Sequence, residues 1–223
     1  MPYRGTDPSA RLRLAQDDRG NRRICIFEKQ EELQMPDYMI LINSENKIPE
    51  GFLDTVELVE VENPEGSRFY VEKKTYQAFL KLQADIRENH GLEIALLNSY
   101  RTLEAQQKAF DHYFYKFGLA YAEKYAARPG HSEHHTGFAI DVSFLRGGKL
   151  THGAQDLLKL DDLFRIVQAK LPKYGFLLRY PRGKEEITKI NYEPWHYRYI
   201  DSPEIAKEIF ERGICFEEYR QQR

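Results

Sequence analysis

Apolar positions are sparse through residues 1–23, where Pro2, Gly5, Pro8 and Gly20 interrupt a charged stretch, so the segment reads as an arm. RICIFE (23–28) and YMILIN (38–43) are apolar runs of strand length. FLDTVELVEVE (52–62) alternates as a strand does, and NPEG (63–66) is turn chemistry. From Val71 to about Asn89 the apolar positions Tyr76, Phe79, Leu80 and Ile86 recur at helical spacing, and Gly91 closes the helix. LEIALLNSY (92–100) predicts a buried strand that delivers Tyr100 and Arg101 at its end. Thr102 then caps a helix through Ala105, Phe110 and Phe114 that stops at Gly118. LAYAEKYAA continues helical to the break at Pro129-Gly130. A strand opens at AIDV, Gly147-Gly148 is a turn, and a helix is predicted over roughly 156–174. GFLLRY (175–180) and YEPWHYRYI (192–200) read as strands, and PEIAKEIFERG as the last helix. Strands and helices mix without a βαβ period. That pattern predicts the α+β class, a central antiparallel sheet flanked by helices. The boundaries are an arm over 1–35 and one domain over 36–223.

Charge changes the picture by exclusion. The chain has 33 basic and 35 acidic residues, a formal net charge of −2, so bulk charge supports neither a nucleic-acid nor an anionic-membrane partner. No stretch reaches the ~18 apolar residues of a spanning helix, so no membrane span is expected. The first residues lack an apolar signal core, which favours the cytoplasm unless the chain is excised from an exported, cell-envelope protein. Cys25 and Cys215 are too few for a disulfide framework and read as separate thiols.

Candidate chemistry concentrates in HSEHHTGFAID (131–141), which packs three histidines and two acidic residues into eleven positions. A mononuclear catalytic zinc needs three ligands from His, Asp or Glu and one open position. His134 on a turn and Asp141 on the following strand supply two, with Gly137 and Ala139 leaving room between them. Alone, a His and an Asp at this spacing also fit a solvated loop. EPWH (193–196) offers a third ligand in His196 and a nearby carboxylate in Glu193; Pro194 argues against a helix there. In an extended segment Glu193 and His196 point to opposite sides, so some twist is required. A carboxylate beside the metal but outside its ligand set can take a proton from the attacking water and pass it to a leaving amine.

Four motifs in order carry a resemblance. NSYRTLEAQ (98–106) is similar to S-G-Y-R-S-x-x-x-Q, SEHHTGFAID to S-x-H-x-x-G-x-A-x-D, and EPWHYRY to E-x-W-H-x-R-Y; YGFLLRYPRGKEEIT (174–188) lies between the last two. Over roughly residues 40–200 the chain resembles the VanY-type D-alanyl-D-alanine carboxypeptidases, zinc peptidases grouped with lysostaphin-type enzymes and hedgehog signalling domains. The resemblance implies that fold, zinc ligands His134, Asp141 and His196, Glu193 as general base, and Arg101, Gln106 and Ser132 around the terminal carboxylate of the peptide. It implies removal of D-alanine from peptidoglycan stem peptides or their precursors. L,D-carboxypeptidase and D,D-dipeptidase activities are the enzymatic alternatives, and a non-catalytic zinc-containing binding module is the alternative of a different class. Three positions depart from the pattern: Ser99, Lys189 and Asp201 stand where glycine is usual.

Beyond the motifs, His135 is expected beside the site or on the surface, and His131 on a loop. His90, His112 and His152 are expected to be exposed and without partners, and Trp195 is expected to pack. The Asp161-Asp162 pair reads as a solvated helix face.

Overall fold

The computed structural model describes residues 35–222 and the backbone of two further strands, Arg13–Gln16 (β1) and Arg22–Cys25 (β2), which pair antiparallel. Contacts divide the chain into two units, Met1–Gln34 and Met35–Arg223. The second unit begins its regular structure with the hairpin of Leu58–Glu62 (β3) and Arg68–Glu72 (β4), turned by Asn63, whose side-chain oxygen accepts from the N–H groups of Glu65 and Ser67. Glu72 then caps Lys73–His90 (α1) by accepting from Lys74 and Thr75, and Gly91 ends that helix in the left-handed region. The remaining elements are Ile94–Asn98 (β5), Leu103–Phe117 (α2), Leu119–Tyr125 (α3), Ala139–Arg146 (β6), Lys149–Leu150 (β7), Ala154–Leu158 (α4), Asp161–Gln168 (α5), Phe176–Leu178 (β8), Glu185–Thr188 (α6), His196–Tyr199 (β9), Pro203–Arg212 (α7) and Phe216–Gln221 (α8).

The main sheet is antiparallel in the order β5-β6-β9-β8, with β7 on the end of β6, so the α+β expectation holds. Along β6, Ile140, Val142 and Phe144 enter the same apolar core as Phe79, Leu82 and Ile86 of α1. Each such burial is worth on the order of 1.5–3 kcal/mol. The intervening Asp141 therefore points to the other face, as the two-residue period of a strand requires. On that face the register sets Asp141 directly opposite His196 of β9 and beside Asn98 of β5, after an irregularity between Leu96 and Asn98. Directly opposite side chains share a face. Strand pairing thus brings together two groups fifty-five positions apart.

Several expected boundaries move, each for a local reason. YMILIN forms no strand: the carbonyls of Tyr38 and Ile40 accept from the Arg198 guanidinium instead of a ladder. In the 52–62 run, Phe52–Thr55 is a 3-10 turn and only Leu58–Glu62 is strand. The helix read from Val71 starts at Lys73 because 71–72 complete β4. The single helix expected over 156–174 is α4, α5 and a 3-10 turn at Leu171–Tyr174 containing Pro172, which lacks an N–H for a continuing helix. Leu157, Phe164, Val167 and Leu171 all enter one core, so the helical spacing survives the breaks. In the N-terminal unit, strand Arg13–Gln16 lies inside what reads as an arm, and RICIFE is represented by Arg22–Cys25. The side chain of Cys25 lies outside the described residues; Cys215 is a free, buried thiol.

Candidate active site

The histidine-rich segment contains a single 3-10 turn, Glu133–Thr136, between α3 and β6. Ser132 caps it, its hydroxyl accepting from the His134 N–H at 3.4 Å. Gly137 ends the turn at φ +76°, and a Cβ there would meet Leu58 Cδ2 at 2.8 Å and the Glu72 backbone N at 3.2 Å. Glycine is needed here on two counts. Gly137→Ala is expected to lose about 1–2 kcal/mol from the left-handed backbone alone, a fall in Tm of several degrees for a chain of this size. Calorimetry checks it, and an unchanged Tm would remove the requirement for glycine.

His134, Asp141 and His196 converge so that one ligand atom of each lies within 4.8 Å of the others. His134 Nε2 is 3.3 Å from Asp141 Oδ2, and His196 Nδ1 is 3.0 Å from Asp141 Oδ1. Those separations are close to the ~3.4 Å edge of a tetrahedron with ~2.1 Å bonds. His134 Nδ1 lies 2.7 Å from the carbonyl oxygen of Ser99. A carbonyl only accepts, so the proton of neutral His134 sits on Nδ1 and the lone pair of Nε2 faces Asp141. Lone pairs facing each other across 3.3 Å repel, and a proton or a metal ion between them relieves the repulsion. The N, O, N donor set, buried with one side open to the cleft, fits zinc.

Glu193 reaches this site by a route the extended reading excludes. Residues 193–196 form a reverse turn, with the His196 N–H donating to the Glu193 carbonyl, and strand begins only at His196. The turn brings both side chains to one side, Glu193 Oε2 lying 3.7 Å from His196 Nδ1. Burial pushes the Glu193 carboxyl up to about 7, with Asp141 adding to the rise and His196 and Arg101 opposing it. Trp195 packs in the core and also lines the cleft.

Arg101, Gln106 and Ser132 line the same cleft. Arg101 Nη1 donates to Gln106 Oε1 at 2.8 Å, and Gln106 Nε2 donates to the Ala127 carbonyl at 2.7 Å. The backbone of Arg101 is pinned on both sides: its N–H donates to His134 O at 3.0 Å, and its carbonyl accepts from His135 Nδ1 at 2.7 Å. His135 Nε2 in turn accepts from the Gly130 N–H at 2.9 Å. His135 is therefore buried structural cement for Arg101, a role its position in the sequence did not reveal.

Residues 68–202 match the family described as D-alanyl-D-alanine carboxypeptidase, VanY. The chain belongs to the VanY D-alanyl-D-alanine carboxypeptidase family. It is a zinc carboxypeptidase of that type. It is similar to a D-alanyl-D-alanine carboxypeptidase of Enterococcus faecalis, 32% identical over an alignment of 190 positions that covers 81% of this chain and 65% of that protein. This chain therefore spans just under two thirds of that relative. Two VanY structures are close in fold at 32% identity: VanYB in complex with D-alanine-D-alanine (TM-score 0.69, 82% of this chain and 97% of that one) and a zinc-bound VanY variant from a VanB-type resistance cassette (TM-score 0.68, 82% and 98%). The LD-carboxypeptidase LdcB is also similar, 30% identical with a TM-score of 0.66 over 94% of each chain.

The departures from the VanY pattern now have a physical reading. Lys189 and Asp201 are the non-glycine residues with positive φ among those described, at +64° and +52°. The backbone there adopts the left-handed turn that glycine serves in the pattern. Asp201 is held by Lys74 Nζ at 2.9 Å and Tyr199 Oη at 2.7 Å, which offsets part of the strain. Ser99 does not crowd the cleft: it is fully buried, its hydroxyl donating to Ala139 O at 2.8 Å.

Behind His134, Asp141 and His196 lies a buried ionic cluster. Glu133 Oε1 accepts from Arg179 Nε at 2.8 Å and Arg198 Nη1 at 2.7 Å, while Arg179 makes a two-pronged contact with Glu217 of α8 at 2.9 and 2.7 Å. Burial alone would raise the Glu133 carboxyl, but the two guanidiniums hold it well below the usual carboxylate range. A signal existed: Arg179 and Arg198 sit inside the apolar runs GFLLRY and YEPWHYRYI, and a buried arginine demands a partner. Elsewhere, His90 and His112 are exposed as expected, whereas His152 pairs with Glu65 at 2.6 Å and His131 Nδ1 lies 2.9 Å from Asn43 O. Asp162 is solvated, but Asp161 accepts from Tyr192 Oη at 2.6 Å and pairs with Arg165 and Arg182.

Proposed function

We propose that this VanY-family chain removes the C-terminal D-alanine from peptidoglycan stem peptides, with residues 36–223 as its catalytic domain and 1–35 as an arm. In this reading His134, Asp141 and His196 hold zinc, Glu193 is the general base, and Arg101, Gln106 and Ser132 read the terminal carboxylate. The observation that carries it is the braced Arg101–Gln106 pair in the same cleft as the ligand triad. Zinc, when bound, polarises the scissile carbonyl and brings the pKa of its water toward ~7. Arg101 spends one N–H on Gln106 and offers its remaining donors to the carboxylate of the substrate. That contact fixes the last peptide bond at the metal and makes the cleavage exo rather than endo. Glu193 takes a proton from the attacking water and delivers it to the amine of the departing D-alanine as the C–N bond breaks. Glu193 and Arg101 together in one cleft argue against a binding-only module.

The likeness to LdcB over nearly the whole chain favours one second reading, L,D-cleavage of a tetrapeptide. Incubation of zinc-loaded protein with tri-, tetra- and pentapeptides and with free D-Ala-D-Ala, followed by mass analysis, decides among the activities. Tetrapeptide as the product of pentapeptide is the expected result; trimming of tetrapeptide alone would transfer the assignment to L,D-cleavage. Arg101→Lys keeps the charge and loses the fork, so kcat/KM on the free-acid peptide is expected to fall by about 10–100-fold. A C-terminally amidated peptide should be a poor substrate for wild type and suffer little further loss with Arg101→Lys. A variant equal to wild type on the free acid would remove Arg101 from the carboxylate pocket.

A further inference from the structure

One face of α2 runs out of the cleft and into solvent. Gln106, Ala109 and Tyr113 all line the cleft, and Phe117 continues the series one turn later. Steps of three, four and four residues keep these side chains on one helical face. The series starts at the partner of Arg101 and ends at an exposed ring, Phe117 being 48% accessible. At its outer half the helix is joined by rings of α3. Phe117 and Tyr121 lie 4.5 Å apart between centroids, Tyr121 and Tyr125 are stacked at 4.3 Å and 22°, and Tyr113 and Tyr125 are stacked at 6.2 Å. Tyr113 and Tyr125 line the cleft, so the stack is continuous with it. Phe114, Tyr115, Phe117 and Leu119, four of the exposed large apolar side chains, fall within six consecutive positions at its outer end. Such a concentration marks a contact surface.

Its length says what the contact is. The eleven helical rises from Gln106 to Phe117 span about 16 Å. An extended pentapeptide covers about 16–18 Å. A stem peptide whose terminal carboxylate sits at Arg101 and whose chain follows α2 therefore brings its first residue, and the amino sugar attached to it, to the Phe117 end. Free D-Ala-D-Ala ends long before the ladder does. Resting on the carboxypeptidase reading above, we propose that the Tyr113–Tyr125–Tyr121–Phe117 ladder is an extended subsite for the upstream part of the substrate. Its exposed Phe117 end takes the N-acetylated muramyl sugar that carries the stem. Lys116 Nζ lies 5.1 Å from the centroid of the Phe117 ring, over its face, so the C–H face of the sugar takes the place of that surface ammonium on the ring, and the chain acts on glycan-bearing stems in preference to free peptides.

The test uses the zinc-loaded full chain and one pentapeptide in two forms, free and attached to its N-acetylglucosaminyl-muramyl disaccharide. Wild type is expected to show a KM about tenfold lower for the disaccharide form. Phe117→Ala is expected to bring the ratio of the two KM values near one, and Phe117→Trp to keep it. The same two ligands, at tetra- and pentapeptide length, are titrated calorimetrically into the Glu193→Gln chain, where the affinity ratio should repeat the pattern. If wild type hydrolyses neither form, the activity assignment fails and the titration alone decides the ladder. Equal KM values in wild type together with equal affinities in the Glu193→Gln chain would overturn the proposal, as would a preference that survives Phe117→Ala. A concentration-dependent dimer that Phe117→Ala dissolves, without any sugar preference, would give this face to self-association instead.

Discussion

Glu193→Gln is expected to abolish turnover by at least ~10²–10⁴-fold while leaving zinc and fold in place. General acid–base catalysis contributes about that much, and glutamine cannot accept a proton at neutral pH. The geometry separates Glu193 from the proposed ligands: it is not one of the three groups whose ligand atoms converge, and its Oε2 lies 3.7 Å from His196 Nδ1. Glutamine is nearly isosteric, so the turn at 193–196 and the His196 ring should keep their places. Metal analysis after dialysis should find about one equivalent in both proteins, and a free-acid pentapeptide should still bind the variant. A His134→Ala protein supplies the contrast, because loss of a ligand should empty the site. If Glu193→Gln loses zinc with activity, Glu193 is a ligand and the triad is incomplete. If activity survives within a few-fold, another group is the base.

How much of this site is visible in the chain depends on distance along it. The His134–Asp141 pair is local, and HSEHHTGFAID displays it; Gly137 is displayed too, but the reason for it, a left-handed turn packed against Leu58 and Glu72 rather than room between the ligands, is not. His196, the proposed third ligand, stands out in EPWH by its chemistry, but the means of its arrival does not. Strand register sets His196 opposite Asp141, and a turn rather than a twisted strand brings Glu193 round. Register is a property of two segments at once and leaves no mark in either alone. The same holds for YMILIN, whose apolar run looks like a strand until Arg198 claims its carbonyls. Three helical pieces share one apolar spacing, so the breaks around Leu160 and Pro172 are hidden by the pattern they preserve. The role of His135 was illegible because its partners, Arg101 and Gly130, are joined to it only by the folded chain.

Glu133→Gln is expected to weaken zinc binding by about 10–100-fold, the usual cost of losing a carboxylate that supports a ligating histidine. His196 presents Nδ1 to Asp141 and Glu193, so its Nε2 points the other way, toward Glu133 Oε2 at 4.0 Å. Both atoms are fully buried, and neither has another partner in the protein. A ring that ligates through Nδ1 carries its proton on Nε2, and a fixed carboxylate behind that proton sets the ring's orientation. Glu133 is well suited to stay fixed, since Arg179 and Arg198 both hold its other oxygen. Removing its charge also leaves the buried Arg198 guanidinium with backbone carbonyls alone and Arg179 with Glu217 alone, so some loss of stability must accompany any loss of metal. Glu217→Gln separates the two effects. It deletes a charge from the same cluster and is expected to lower Tm comparably, yet Glu217 does not face His196. Zinc affinity, measured by chelator competition well below either Tm, should therefore fall for Glu133→Gln far more than for Glu217→Gln. Equal losses would mean that the cluster only holds the fold together. A loss confined to Glu133→Gln makes Glu133 the residue that positions His196, and joins the four-member cluster, out to α8 beyond the matched residues 68–202, to the metal site.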